Sequence, residues 1–485
     1  MNTLRSADVP VLGPVLGPVL GPVLGLALCL AGAPLAGAQE ITLGIGTQNT
    51  TTNTVHTGVV LKEMGFLEKR LPKTGKYAGA TWKLDWQNFT SGPPVTNGMM
   101  ANKLQIGGMG DYPLVVNGFN FTQNPESKSQ LVSVAAYSIT GSGNGLVVHK
   151  DSPHFKIDDL KDKTVTVPFG SAAHGMLLKT MQDRKWPQTF FKLASQTPEV
   201  GATSLQEKKI EGHANFVPFA ELLPFRGFAR KIFDGAQTNA PTFHGLVVRT
   251  DFAEKHPEVV LAYIKASIDG MNWIKADPKL ASEKIEQWTG IAKEVVYMFM
   301  GPMGIMNMDL TIKPQLVKHA ADVAGVLQSL DRIKAFDVKA WVNESYVRQA
   351  YQEMGLDYGK QLADFSNYPI TGQDRLCGVA ITDPTQAGQI WVKGGDIESY
   401  SSPRCTLAAY AALKKSGKEA GVVYLQEKTY GIKVFADHAF YAIGGGAKPD
   451  IVPFMLKGDA ESHAAKIKGK LGTFADAVAA ASAGS

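Results

Sequence analysis

The sequence predicts an α/β protein of two lobes followed by a smaller α+β domain. Three observations carry this. From residue 41 onward, short apolar runs alternate with polar loops and segments bearing a helical apolar stripe, the pattern of a mostly parallel sheet with crossover helices. The alternation restarts near SVAAYSITGSGNGLVVHKDSP, and the chain returns to its first lobe near TFHGLVVRTDF. After residue 372 the texture changes to two successive strand-turn-strand-helix units, a ββα duplication.

The elements follow in order. ITLGIG reads as a strand, TQNTTTNTVHTG as a donor-rich loop, and VVLKEMGFLEKRL as a helix. ATWKLDWQNF is a second strand, SGPPVTNGMMANK a loop and helix, LQIGGMG a short strand and DYPLVVNGF a helix start. In the second lobe KTVTVPFG, QTFFKLASQ and HANFVPF read as strands, with SAAHGMLLKTMQDRKW and EVGATSLQEKKIEG as helices between them. Long amphipathic helices fill the return, from HPEVVLAYIKASIDGMNWIKA to KAWVNESYVRQAYQEMG. The boundaries expected are 39–135 and 241–356 for lobe I, 136–240 for lobe II, 357–372 for a linker, 373–475 for the C-terminal domain and 476–485 for a frayed tail.

Residues 1–38 read as a signal peptide. A VLGP repeat cut by Pro and Gly leads into LGLALCLAG, and Ala36-Gly37-Ala38 fits the small-x-small cleavage rule. Cleavage after Ala38 predicts a periplasmic protein that starts at Gln39. Leu28 before Cys29 is too bulky for a lipoprotein site. No later segment reaches about 18 uninterrupted apolar residues, so the mature chain is expected to be soluble.

With 19% charged residues and a formal charge of +5 spread along the chain, nothing reads as a nucleic-acid-binding arm. The sequence holds no nucleophile elbow, no HExxH pair and no Walker loop, so no enzyme activity is expected.

DWQNFTSGPPVTNGMMANKLQIGGMGDYPLVVNG, VVHKDSPHFKIDDLKDKTVTVPFGSAAHGMLL and TPEVGATSLQEKKIEGHANFVPF resemble, in order, the motif runs of the nitrate/sulfonate/taurine family of ABC-transporter solute-binding proteins. The resemblance spans residues 40–355 and departs at GHANF, where the family has Gly-x-Val-Asp-Ala. It implies a two-lobed periplasmic-binding-protein type II fold, monomeric, that closes over a small anion or zwitterion and delivers it to a membrane permease. LCGVAITDP, YSSPRCTLAAY and GGAKPDIVPF resemble a second family, the copper-delivery accessory proteins of nitrous-oxide reductase. That resemblance implies two ββα repeats and a Cu(I) site of Cys and Met. Val379 stands where its first motif has Met, and GGGAKPD carries none.

The candidate ligand residues sit where a strand hands over to a helix. GIGTQNTTTNTV, GGMGDYPL and PFGSAAHG each offer helix-start amides and the positive end of a dipole, which together suit an anion. Thr47, Gln48, Asn49, Gly110, Gly170, Ser171 and Ala173 supply amides and hydroxyls, and His174 and His244 are further donors. Against this, Ser, Thr and Asn at such places often only cap helices, and an isolated histidine is often structural. Asp111 suits the ammonium of a zwitterion, or caps its own helix. Phe216, Phe219 and Phe243 are pocket walls or core.

MFMGPMGIMNM, residues 298–308, holds five of fifteen methionines. Met298, Met300 and Met303 would converge on a soft metal if the run is a loop, or fill gaps between helices. Once Cys29 is removed, Cys377 and Cys405 remain, as a disulfide, as two copper ligands or as free thiols. No other cofactor is expected.

Overall fold

The computed structural model of the chain describes residues 40–446 and 448–483; the expected signal peptide lies outside them. The first lobe is built on strands Glu40–Thr47 (β1), Thr81–Asn88 (β2), Ile106–Gly110 (β3) and Ser129–Ser138 (β4). The chain then crosses into Gly145–His149 (β5), Thr164–Val167 (β6), Lys192–Ser195 (β7), Gly212–Asn215 (β8) and Ala229–Asp234 (β9). It returns through Thr242–Arg249 (β10) and Asn307–Met308 (β11).

The first sheet has the order β11-β4-β10-β3-β1-β2 and the second β7-β6-β8-β5-β9. In the first sheet, β1 runs parallel to β2 and β3, while β10 is antiparallel to β3 and β4. Both sheets are therefore mixed at the strands that cross between lobes. β3 and β10 are buried along their whole length, as strands covered on both faces must be. One apolar cluster runs through both lobes, from Leu43 and Ile45 to Val165 and Phe233.

Past the lobes, Gln373–Asp374 (β12) and Val379–Ala380 (β13) make a small hairpin. Gly388–Val392 (β14), Ile397–Tyr400 (β15), Ala420–Gln426 (β16) and Lys433–Phe435 (β17) form a sheet ordered β15-β14-β16-β17. Phe440–Ile443 (β18), Ile451–Phe454 (β19) and Lys470–Gly472 (β20) form another, ordered β19-β18-β20. Helices Pro403–Lys415, Lys457–Lys466 and Phe474–Ser482 cover them.

Several expectations need correction. The loop after β1 is a 3-10 helix over Thr52–Thr57, all of it buried. The tail is not frayed up to Ser482, because Phe474–Ser482 is a helix whose Ala477 and Ala481, one turn apart, are buried in the C-terminal core. Residues 357–372, expected as a linker, are held down along their length. The buried Lys313 ammonium pairs with Asp309 at 3.0 Å and takes the carbonyls of Gln361 (2.7 Å), Leu362 (3.1 Å) and Asp364 (2.8 Å), capping the end of helix Tyr358–Ala363. Asn307 and Asn367 tie the following stretch down through Ser366 O (2.8 Å) and Gly304 O (2.9 Å).

The C-terminal domain is docked rather than tethered. Trp391, Val422, Tyr424 and Phe435 join the apolar cluster of the lobes. Tyr297, in helix Lys293–Met300, meets Trp391 and Tyr424 at ring distances of 5.6 and 5.5 Å. Phe225 of the second lobe meets Phe435 at 5.2 Å. Lys433, fully buried at this junction, donates to Pro302 O (2.6 Å) and Gln389 Oε1 (3.1 Å) over the faces of both tyrosines.

Candidate functional site

Two helix starts face each other across the lobes. Helix Asp111–Thr122 follows β3 directly, because Gly110 is extended and Pro113 suits the first turn. Helix Ala172–Asp183 follows β6 through Pro168, Phe169 and Gly170, whose φ of +80° favours glycine. Ser171 caps it by accepting the His174 amide at 3.3 Å, and the Ala172 and Ala173 amides have no intrahelical acceptor.

The two starts touch. A Cβ on Gly110 would lie 3.2 Å from the Ala172 Cβ and 3.3 Å from His244 Nε2. A Cβ on Gly175 would lie 2.7 Å from the Tyr112 ring. Beside this contact a cavity of about 40 Å³ remains, reached by Asp111, Asn144, Ala172 and Thr242. That is room for one or two atoms the size of water oxygen.

His244 sits on β10 opposite Gly110. Its Nδ1 receives the Asn53 amide at 3.1 Å, so the hydrogen of the neutral ring is on Nε2, which has no partner among the described residues. Burial lowers its pKa to about 4, against the pull of Asp111. Burial likewise lowers His174 to about 4, with the Arg332 charge adding to it. The His174 ring stacks on Phe169 at 4.8 Å, and its Nδ1 takes the Gly170 amide at 3.0 Å. Gln48 reaches the same region, donating to Gly108 O of β3 at 3.0 Å. The facing helix starts thus bring Gly110, Gly170, Ser171, Ala173, His174 and His244 near one another, with Gln48 held on β3, although none of the seven lines the cavity itself.

Other candidates go elsewhere. Asp111 is spent on its own chain: it accepts Thr242 Oγ1 (2.8 Å) and the Tyr112 amide (2.6 Å) and pairs with His319 Nε2 (3.0 Å). Burial pushes its carboxyl up, but these contacts outweigh that and hold it below the usual range. It is a charged brace, not a free partner for an ammonium. Phe216 and Phe243 are core residues, with edge contacts to Phe219 (6.1 Å) and His319 (6.3 Å). Thr47 bonds Gln87 O, and the Asn49 amide bonds Asn88 at the sheet edge.

The metal candidates are overturned. Met298 and Met300 lie in helix Lys293–Met300, buried in the core, while Met303 follows on the loop with φ of +51°. The three therefore do not share one loop. Cys377 and Cys405 form a disulfide, so neither offers a thiolate. Asp374 beside them is consumed by the amides of Leu376, Cys377 and Ser401.

Sequence reading missed Tyr112 and Arg332. Arg332 follows helix Pro314–Ser329 in an exposed turn, yet its charge acts on both Tyr112 and His174. A lone Arg in such a turn carries no local signal. The charged groups lining the cavity are each paired, Lys179 with Asp183, Asp111 with His319 and Asp322 with Lys318, while the Arg332 charge acts from the exposed turn beside it.

Comparison with known proteins finds these similarities. A family described as NMT1/THI5 like matches residues 117–281. The taurine-binding periplasmic protein of Escherichia coli (strain K12) is 30% identical over 224 residues, 45% of this chain and 65% of that protein. A putative aliphatic sulfonates-binding protein of Bacillus subtilis (strain 168) is 23% identical over 301 residues, 61% of this chain and 85% of the other. The chain spans just under two thirds of the first of these relatives and more of the second. Among solved structures, the alkanesulfonate-binding protein SsuA from Xanthomonas axonopodis pv. citri bound to MOPS superposes with a TM-score of 0.53 at 18% identity, over 64% of this chain and 100% of that one. The fold is therefore the mixed α/β fold of periplasmic binding proteins.

Proposed function

We propose that this chain is the exported receptor of an ABC importer, binding a small sulfonate-type anion between its lobes and presenting it to a membrane permease as a monomer. The observation that carries this reading is the meeting of the Ala172–Asp183 helix start with Gly110 and His244 across the lobes. The Ala172 and Ala173 amides and His244 Nε2 are donors without an internal charge to satisfy them, and Arg332 draws anions to the mouth. The relatives named for taurine and aliphatic sulfonates support sulfonate over nitrate. With Asp111 engaged by His319 and Asp322 by Lys318, no free carboxylate there selects an amino-sulfonate over a plain alkanesulfonate.

Binding works by closure: ligand contacts from both lobes stabilise the shut form. Export would use the leader, with cleavage after Ala38, and the Escherichia coli relative is named as periplasmic. Among the described residues no helix is long and apolar enough to cross a membrane. The C-terminal domain resembles the copper-delivery family in sequence, and the β14–β15 and β18–β19 hairpins, each followed by a helix, support two ββα repeats; its disulfide and missing Met argue against a Cu(I) site there. Calorimetric titration of the mature chain with taurine, ethanesulfonate, MOPS and nitrate tests the proposal. Saturable binding of a sulfonate supports it, and silence toward all four refutes it.

A further inference from the structure

A second cavity, of about 560 Å³, lies between the second lobe and the C-terminal domain, within the about 300–1,000 Å³ common for small-molecule sites. It shares no residue with the interlobe crevice. Its apolar wall includes Phe155 and Phe440, in edge contact at 6.4 Å, together with Met298 and Leu471. Leu471 is 38% exposed there, an apolar side chain without cover.

The charges on this wall are unequal in their partners. Lys231 is taken by Glu221 and Asp234, and Asp476 caps the last helix through the Thr473 amide and hydroxyl. Arg230 is held only by the carbonyls of Lys150 (2.8 Å), Ser152 (2.7 Å) and His154 (2.9 Å), with no carboxylate within 4 Å among the described residues. Its guanidinium lies 4.0 Å from the Phe155 ring centre, and Lys457 Nζ lies 4.5 Å from the same ring. Lys457 has only Glu461, a turn away at 3.5 Å and half exposed. Aromatic surface beside under-neutralised cations recognises an anion with an apolar body.

We propose that this cavity is a second ligand site, for an amphipathic organic anion with an aromatic or aliphatic body and a single anionic head, seated with the body against Phe440 and Leu471 and the head toward Arg230 and Lys457. Such a ligand would join the second lobe to the C-terminal domain, whereas the crevice ligand joins the two lobes.

Naphthalene-2-sulfonate, titrated calorimetrically into the mature full-length chain, tests this. The expected result is one saturable site kept in Gly175→Val, which blocks the crevice, and weakened about tenfold in both Lys457→Glu and Leu471→Trp. Both of the latter positions are partly exposed, so folding is retained. Absence of saturable binding, equal affinity in the two cavity variants and wild type, or loss in Gly175→Val alone would each overturn the proposal.

Discussion

Tyr112 of the first lobe packs so closely on Gly175 of the second that a side chain at Gly175 would stand 2.7 Å from its ring. The contact joins the first turns of the two facing helices. Gly175→Val therefore pushes the buried Tyr112 ring away and holds the two helix starts apart. It should weaken sulfonate binding at least about tenfold, or about 1.4 kcal/mol, with an unchanged circular dichroism spectrum.

A sulfonate held as proposed would meet neutral histidines. His244 and His174, both at about 4, are uncharged across ordinary pH. Sulfonate affinity should accordingly be flat from about pH 5.5 to 8. A sharp gain on acidification would mean that an imidazolium holds the anion.

The same burial makes the fold acid-sensitive. His56 is lowered to about 3, and His174, His213 and His244 to about 4, each mainly by desolvation. Above the unfolded value of 6.5 both states are neutral. As pH falls from there toward 4, the unfolded chain binds protons that the folded one does not, so stability falls by up to about 1.4 kcal/mol per pH unit for each histidine. Denaturant melts at pH 7 and 5 measure this, and His213→Asn should reduce the difference.

Lys433 acts in the opposite range. Burial lowers its ammonium from 10.5 to about 7. Between these values the unfolded chain holds a proton that the folded chain lacks, so this group makes stability rise from pH 7 to about 10. Lys433→Met keeps the packing on Tyr297 and Tyr424, removes that slope, and should be more stable than wild type at pH 7 in urea melts.

Much of the architecture was legible because it follows local rules. Strand-helix alternation gave the lobes, and glycine or serine before an apolar helix marked both facing starts. What stayed hidden depends on distant partners. Asp111 looked available because His319, which occupies it, is 208 residues away. Arg332 acts on the crevice only through tertiary folding. The polar run 357–372 read as a tether because the buried Lys313 that holds its carbonyls lies outside it. ADAVAAASAGS read as frayed because alanine gives little apolar signal, yet Ala477 and Ala481 fill a close helix-helix contact. The methionine run suited a loop by its glycines, but its first half completes the helix ending at Met300.

The central claim is that donors of both lobes hold a sulfonate, with Arg332 guiding it in. Titration of ethanesulfonate into wild type and Arg332→Ala at low and physiological salt tests it most directly. The account predicts saturable 1:1 binding, weakened in the variant most strongly at low salt, where screening is least. Binding that is absent from the wild-type chain, or identical in the two proteins at every salt concentration, would contradict it.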